Sequence, residues 1–229
     1  HYPASRRAEF DRVLSFLDRE SLEALRDFRR IQMQKNELLK GGDLSSLPDW
    51  NRLFIEKASA IINRRAALLE RVNAGLSAVF ARLTGRSEAL RVAYAPSLKG
   101  DPTQDAATLA RVREQELQAG HCLYGPHRDD VQLVLEGQRA ESYFSQGEYR
   151  VSLLALKLAL NDLLEERTGF HPVIVLDDLF SELDGTVQGR LAEHLQGLPN
   201  QIFITSTQRP AALQIPGVHL MEIRAGRIA

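Results

Sequence analysis

Cysteine is nearly absent: Cys122 stands alone among 229 residues. That excludes an internal disulfide framework and fits a reducing, cytoplasmic compartment. A lone cysteine reads as a small buried hydrophobe ahead of a nucleophile. No run approaches the roughly 18 consecutive apolar residues of a membrane-spanning helix, so no membrane is expected as a partner. No secretory signal pattern opens the chain. No Gly-x-x-x-x-Gly-Lys-Ser/Thr loop occurs either; neither Gly41-Gly42 nor the Gly120 to Gly125 stretch leads into Gly-Lys. A complete phosphate loop is therefore not within these residues. Internal repeats and low-complexity tracts are missing too. His1-Tyr2-Pro3 in place of an initiating methionine fits a fragment or a processed product.

What remains is ordinary for a soluble globular chain: 44% apolar and 26% charged residues. The length allows one large domain or two modest ones. The net charge of −1 is unevenly spread. Residues 1–86 carry 16 Lys and Arg against 11 Asp and Glu; the remainder carries 13 against 19. A basic first part facing an acidic remainder points to an anionic partner, or to a pair of solvated helix faces.

Residues 5–40 read as one helix, with Phe10, Val13, Leu14, Leu17, Leu22, Leu25, Phe28 and Ile31 at three- and four-residue spacing, ended by Gly41-Gly42. A second helix is expected over 47–83, with Ser46 to cap it, Pro48 in its first turn and a stripe from Trp50 to Phe80. Thirty-seven helical residues would span about 55 Å. Joined by a tight loop, the two make an antiparallel hairpin. Beyond it, Leu90, Val92 and Tyr94 alternate as in a strand. A short helix is expected near 103–119, then two strand-like runs, HCLYGPHRDD and VQLVLEG, and a turn at Gly137. SQGEYRVSLLALKLALNDLLEERTG reads as a helix leaving at Gly169, PVIVL and QIFITS as buried strands, and TVQGRLAEHLQGL as the helix between them. A terminal hairpin is expected about Ala225-Gly226. Strand–helix–strand order with continuous apolar strands implies a parallel sheet covered on both faces.

Three motifs carry chemistry. PVIVL ends in Asp177-Asp178, at the carboxyl end of a parallel strand, where open α/β sheets bind ligands. One carboxylate there can hold Mg²⁺ beside nucleotide phosphates, and its neighbour can orient or deprotonate a water. A loop that simply follows a strand is the alternative. YFSQGEYR puts Ser145, Gln146 and Gly147 at a helix N-terminus, where free N–H groups and the helix dipole receive anions. An ordinary serine cap is the alternative. GPHRDD places His127 and Arg128 either in an active site or interface, or in a structural turn held by Arg128–carboxylate pairing.

An anion-receiving turn, a helix, an acidic strand end and then SELD, in that order, resembles the ABC-type ATPase heads of the SMC-like proteins. GPHRDD, SQGEYR and VLDDLFSELD, with the opening SRRAEFDRVLSFLD, NELLK and DWNRLFIEKASAIINRRAALLERVN, resemble the RecF family within them, through essentially the whole chain. The resemblance implies an α/β fold: the C-terminal part of an ABC-ATPase-like head sheet with an inserted long antiparallel helical arm. Residues 1–86 would be the arm, and 87–229 the part of the ATPase domain with signature, Walker B strand and D-loop. It also puts the missing phosphate loop upstream of the arm, so that this chain is a fragment.

By the same resemblance Asp177 would be the Walker B ligand of Mg²⁺, and Asp178 the residue that positions water, with slow ATP hydrolysis. Ser145, Gln146 and Gly147 would meet the nucleotide of an opposite subunit, and Ser181, Glu182 and Asp184 would line the seam of an ATP-dependent homodimer. Thr207 stands at the position of the transporter switch histidine, able only to hydrogen-bond. The implied function is an ATP-binding, DNA-binding protein of replication, recombinational repair and the SOS response. Its partners would be single-stranded and duplex-junction DNA, and RecR and RecO-type mediators. Arg64, Arg65, Arg71, Arg82 and Arg86, with Arg26, Arg29 and Arg30, are the expected phosphate contacts. Glu148 and Tyr149 depart from the usual Ser-Gln-Gly-Gln-Gln-Arg, and Glu148 pointed inward would oppose a phosphate. A non-catalytic partner-binding module derived from an SMC-like ATPase is the competing reading. A transporter ATPase fits less well, lacking its switch histidine.

Overall fold

The computed structural model describes the chain except residues 1–2, 42–43, 140–143, 209–210, 214–216, 225–226 and 229, with side chains left aside at 3–5, 224 and 227–228. Gly42, Tyr143 and the Ala225-Gly226 turn lie outside the described residues.

The first helical stretch is two helices, α1 (Pro3–Leu17) and α2 (Arg19–Leu39). This corrects the single helix expected over 5–40. Asp18 breaks it: its backbone is extended at φ −155°, and its carboxylate accepts from the N–H groups of Glu20 and Ser21. A short polar side chain that satisfies the next helix's first donors makes the interruption favourable. The second expected helix forms as α3 (Leu47–Thr84), leaving through left-handed Gly85.

Strand β1 (Leu90–Ala95) pairs antiparallel with β2 (Asp130–Leu135), and β2 with β3 (Gln138–Arg139). The free edge of β1 is covered by α3. Asn73 donates to the Val92 carbonyl at 2.9 Å and accepts from its N–H at 2.7 Å, while Ser77 donates to the Leu90 carbonyl. Side chains thus satisfy an edge that would otherwise invite pairing. Between these strands lie α4 (Pro102–Arg111) and α5 (Arg113–Ala119), separated at Val112 where one helix was expected. HCLYGPHRDD is not a strand but a loop with a single helical turn at Pro126–Arg128. Proline removes a ladder donor there, and Gly125 takes φ 133°, a value other residues rarely adopt.

Helix α6 (Gln146–Thr168) ends at left-handed Gly169. Strand β4 (Ile174–Asp177), helix α7 (Gly185–Gln196) and strand β5 (Ile202–Thr205) follow, with β4 and β5 parallel and Asp177 opposite Thr205. This sheet is not covered on both faces, as the apolar runs had implied. Leu176 is buried, but Val175 is 63% exposed and Val173 and Phe203 stand in solvent beside it. The last described strands, β6 (Ile223–Arg224) and β7 (Arg227–Ile228), pair antiparallel.

Two apolar clusters organise these elements. One joins α1, the C-terminal half of α3, β1, β2, α6, β4 and α7; the other joins α2, the N-terminal half of α3, α4 and the segment around Cys122. Helix α3 runs through both, so the packing divides within this helix. Burial, the largest cause, pushes the Cys122 thiol up to about 12, and it behaves as a packed hydrophobe.

Candidate functional site

The acidic strand end is held by a residue that sequence reading passed over. Thr205, at the end of β5, donates its hydroxyl to Asp177 Oδ1 and accepts from the Asp178 N–H at 3.0 Å. The Asp178 N–H also reaches the Thr205 carbonyl at 3.1 Å. Asp178 has φ +47°, in the left-handed region that aspartate enters more readily than most side chains. Both carboxylates are exposed. Thr205 takes up one oxygen of Asp177, and Asp178 makes no side-chain hydrogen bond to a described residue. A signal for Thr205 was available: parallel pairing of PVIVLD with QIFIT puts a hydroxyl opposite the first aspartate.

The SELD turn after it is braced. Ser181 donates to the Asp178 carbonyl at 2.8 Å, and Gln188 Nε2 donates to the carbonyls of Phe180 and Leu183 at 2.6 and 3.0 Å. Phe180 plugs the turn into the core. Asp184 caps α7, accepting from Thr186 and Val187 N–H. Glu182 pairs with Arg150 of α6 at 3.0 Å, which ties the SELD turn to the first turns of the SQGEYR helix. Thr207 is exposed beyond β5.

At the start of α6, Ser145 and Glu148 form a reciprocal capping box. Glu148 Oε2 accepts from the Ser145 N–H and hydroxyl, both at 2.9 Å, and Oε1 accepts from Arg86, so the carboxylate lies over the first turn with its charge paired. The Ser145 N–H, then Arg86, hold its pKa below the usual range. Gln146 and Gly147 remain exposed at the helix end. Nothing among the described residues lies within 4 Å of where a Cβ on Gly147 would sit, so the helix end is open there.

The GPHRDD turn is held by Arg65, in place of the Arg128–carboxylate pairing expected for it. Asp129 is 0% exposed and accepts from Arg65 Nη1 at 2.9 Å, the Ser97 N–H at 2.8 Å and the Tyr94 hydroxyl. Arg65, itself 3% exposed, also grips Asp11 with two bonds of 2.9 Å and the Pro126 carbonyl at 2.8 Å. Arg6 clasps Asp130 at 2.9 Å, and Arg7 donates to the Asp129 carbonyl. His127 stacks on Phe28, donates from Nε2 to the Cys122 carbonyl at 3.1 Å, and has its pKa lowered, first by burial. Arg128 is exposed and has no carboxylate partner among the described residues.

These contacts correct one of the expected phosphate ligands, Arg65. Arg65 is sealed in the interior; burial, the largest single cause, lowers its pKa, but Asp11 and Tyr94 together raise it above the ordinary value. Arg86 is engaged by Glu88 at 2.6 Å and by Glu148. Arg64 is partly engaged, with Glu20 at 2.9 Å and Asp18 at 3.6 Å. Arg71 and Arg82 have no ion-pair partner among the described residues. Arg26, Arg29 and Arg30 are exposed on α2.

No metal-holding group of three or more His, Cys, Asp or Glu occurs among the described residues. Mg²⁺ nonetheless suits the strand end: hard carboxylate oxygens, one on Asp177 left uncommitted, match an ion bound through one or two carboxylates plus phosphates and water. No described helix is long and apolar enough to cross a membrane.

No family model matches the chain. It is 38% identical over 233 residues to the DNA replication and repair protein RecF of Moorella thermoacetica, covering 98% of this chain and 62% of that protein. It is 34% identical over 236 residues to the RecF of Chlorobium phaeobacteroides, covering 96% and 64%. The chain therefore spans less than two thirds of these relatives. A solved structure described as the recombination mediator protein RecF with ATP, in the RecFOR pathway, superposes with a TM-score of 0.83 at 24% identity, over all of this chain and 63% of that one. That likeness establishes the α/β fold with its helical arm.

Proposed function

Over the stretch it shares with these relatives the chain belongs to the RecF family of DNA replication and repair proteins, and on that premise we propose that it is the signature and Walker B part of an ATP-gated, DNA-binding recombination mediator. The observation that carries this reading is the coupling of two half-sites: Thr205 fixes Asp177 and Asp178, and Arg150–Glu182 joins that loop to the anion-receptive end of α6.

In this reading Asp177 offers its uncommitted oxygen to Mg²⁺, which when bound would neutralise phosphate charge. Asp178, held by its backbone and free at its carboxylate, orients the attacking water. Its short side chain favours slow turnover. Ser145 and the N–H groups of Gln146 and Gly147 receive the terminal phosphate of a nucleotide on a second copy, so ATP completes a homodimer whose seam runs along Ser181, Glu182 and Asp184. Because Glu182 is tied to Arg150, docking at one half-site is felt at the other. Arg71 and Arg82, with Arg64, give the arm a phosphate-contacting face for DNA, and RecR and RecO-type mediators are the expected protein partners.

The test uses a chimera in which the upstream segment of the Moorella relative precedes residue 1. ATP should drive its dimerisation in light scattering. Ser145→Arg should abolish the dimer, and Asp177→Asn should remove hydrolysis. DNA affinity should fall steeply with salt and weaken in the Arg71→Ala/Arg82→Ala pair. A chimera with neither ATP-dependent dimerisation nor turnover would instead mark a non-catalytic partner-binding module.

A further inference from the structure

Helices α1 and α2 enclose a groove of about 740 Å³ against Ile61 and Pro126, remote in sequence from the acidic strand end. Its floor is apolar, built from Phe28 and Ile61, with Leu22 and Leu25 half-buried at its sides. Phe16 stands at its mouth, 70% exposed. Around this apolar floor are Arg7, Arg12, Arg26 and Arg29.

The charge is uncompensated. The groove's one carboxylate, Asp11, is consumed by Arg65. Arg12, Arg26 and Arg29 are exposed and have no ion-pair partner among the described residues. Arg7 is lowered in pKa, first by burial and then by the charge of Arg65. Arg26 and Arg29 are three apart on one helix face, where like charges repel. A concave apolar surface ringed by unpaired guanidinium groups is complementary to a ligand with apolar anchors and several carboxylates.

We propose that the α1–α2 groove docks an acidic peptide segment of a partner protein, which inserts two apolar side chains between the helices and pairs its carboxylates with Arg12, Arg26 and Arg29. Single-stranded nucleic acid fits less well. Of the lining rings, Phe28 is buried and already engaged by Phe54 and His127, so Phe16 is the one exposed ring the lining offers a base, and Ser15 already donates to the Asp11 carbonyl at 2.7 Å. The groove shares no residue with either nucleotide half-site, but it takes Arg26 and Arg29, named above as phosphate contacts, for carboxylates instead.

The test is fluorescence anisotropy on the 229-residue chain. The probe is a labelled peptide of about twelve residues, carrying Leu and Phe four positions apart among Asp and Glu, as a helix in a groove would present them. Binding should saturate and should weaken roughly tenfold or more when Leu and Phe become Ser, or when the acids become amides. Arg26→Glu/Arg29→Glu should cause a similar loss, and Phe16→Asp a smaller one. All three positions are exposed, so circular dichroism should be unchanged. Arg52→Glu, far along α3, should bind as the parent does. Three results would overturn the proposal: no saturable binding; equal binding of the Ser peptide; or an oligo-dT that binds more tightly and is lost in the same arginine variant. Self-association that disappears in Arg26→Glu/Arg29→Glu would reassign the groove to a second copy, and overturn it likewise.

Discussion

Replacing Arg65 by alanine separates two readings of the same residue. By residue type it belongs with the phosphate contacts; by position it is the cation that joins α1, α3, β1 and the GPHRDD turn. Its removal leaves Asp129 fully buried with two neutral donors, Tyr94 and the Ser97 N–H. Asp11 is partly exposed and can be solvated, and Arg7 remains near the Asp129 carbonyl. Breaking a buried pair from one side costs about 3–5 kcal/mol, and these two mitigations argue for the lower end, about 3 kcal/mol. For a chain of this size each kcal/mol is worth roughly 2–4 °C, so the midpoint should drop by about 6–12 °C in a thermal melt. Arg65→Lys should recover only part, because an ammonium cannot grip Asp11 through a fork while reaching Asp129 and Pro126. Arg65→Met with Asp129→Asn should recover more than either single change, since both charges leave together. An Arg65→Ala midpoint within about 1 °C of the parent, or a loss of DNA affinity in a protein still fully folded, would refute the reasoning.

Lys35 and Glu116 pose the same question at the α2–α5 contact, where they meet at 2.8 Å with Lys35 wholly buried against Phe54. Glu116→Gln should cost about 3 kcal/mol in urea unfolding, and Lys35→Met added to it should return much of that loss. His127 and His194 have folded pKa values below the 6.5 of the unfolded chain, burial being the first cause in both. The unfolded state therefore takes up their protons first. Their contribution is complete above 6.5 and is lost as pH falls from there towards the folded values. Urea midpoints taken across that range should fall, and the decline should flatten in His127→Phe/His194→Leu; an unchanged slope in that variant counts against it. Strand β4 should respond by face: Leu176→Ala should cost about 2–4 kcal/mol and Val175→Thr less than about 0.5, read as shifts in the melting midpoint.

The elements that repeat locally were legible. The stripe of α3, the capped entry and glycine exit of α6, and the β4–α7–β5 order are each written within a few residues of themselves. The order of motifs also carried the family. The break at Asp18 was harder, because apolar spacing continues across it and only the cap interrupts the backbone. The bare face of the β4–β5 sheet could not be read from PVIVL, since an apolar run records a preference for burial and not what covers it. The polar network was hidden by distance: Arg65 lies 54 residues from Asp11 and 64 from Asp129, and Arg6 lies 124 from Asp130.

One signal for that network was nevertheless present. The buried positions of α3 include Ile61, Ile62, Arg65, Leu68, Leu69 and Val72, and those of α2 include Phe28, Ile31, Lys35 and Leu39. Both buried cations fall in register with the apolar stripe, three or four residues from a hydrophobe on each side. Helical periodicity places a side chain by its angle about the axis, whatever its chemistry. A cation at such an angle is buried, and a buried cation needs a carboxylate. Read this way, the basic excess of residues 1–86 separates into two populations. Arg6, Lys35 and Arg65 are spent inside the fold, and Arg19, Lys40, Arg52, Lys57, Arg64 and Arg86 on surface pairs, while Arg12, Arg26, Arg29, Arg30, Arg71 and Arg82 have no ion-pair partner among the described residues. Three of those six line one concave apolar surface between α1 and α2. If the charge excess serves an anionic partner, as proposed above, and not a pair of solvated helix faces, the groove suits one as much as α3 does, and the two locations call for different chemistry: carboxylates with apolar anchors at the first, a phosphate backbone at the second.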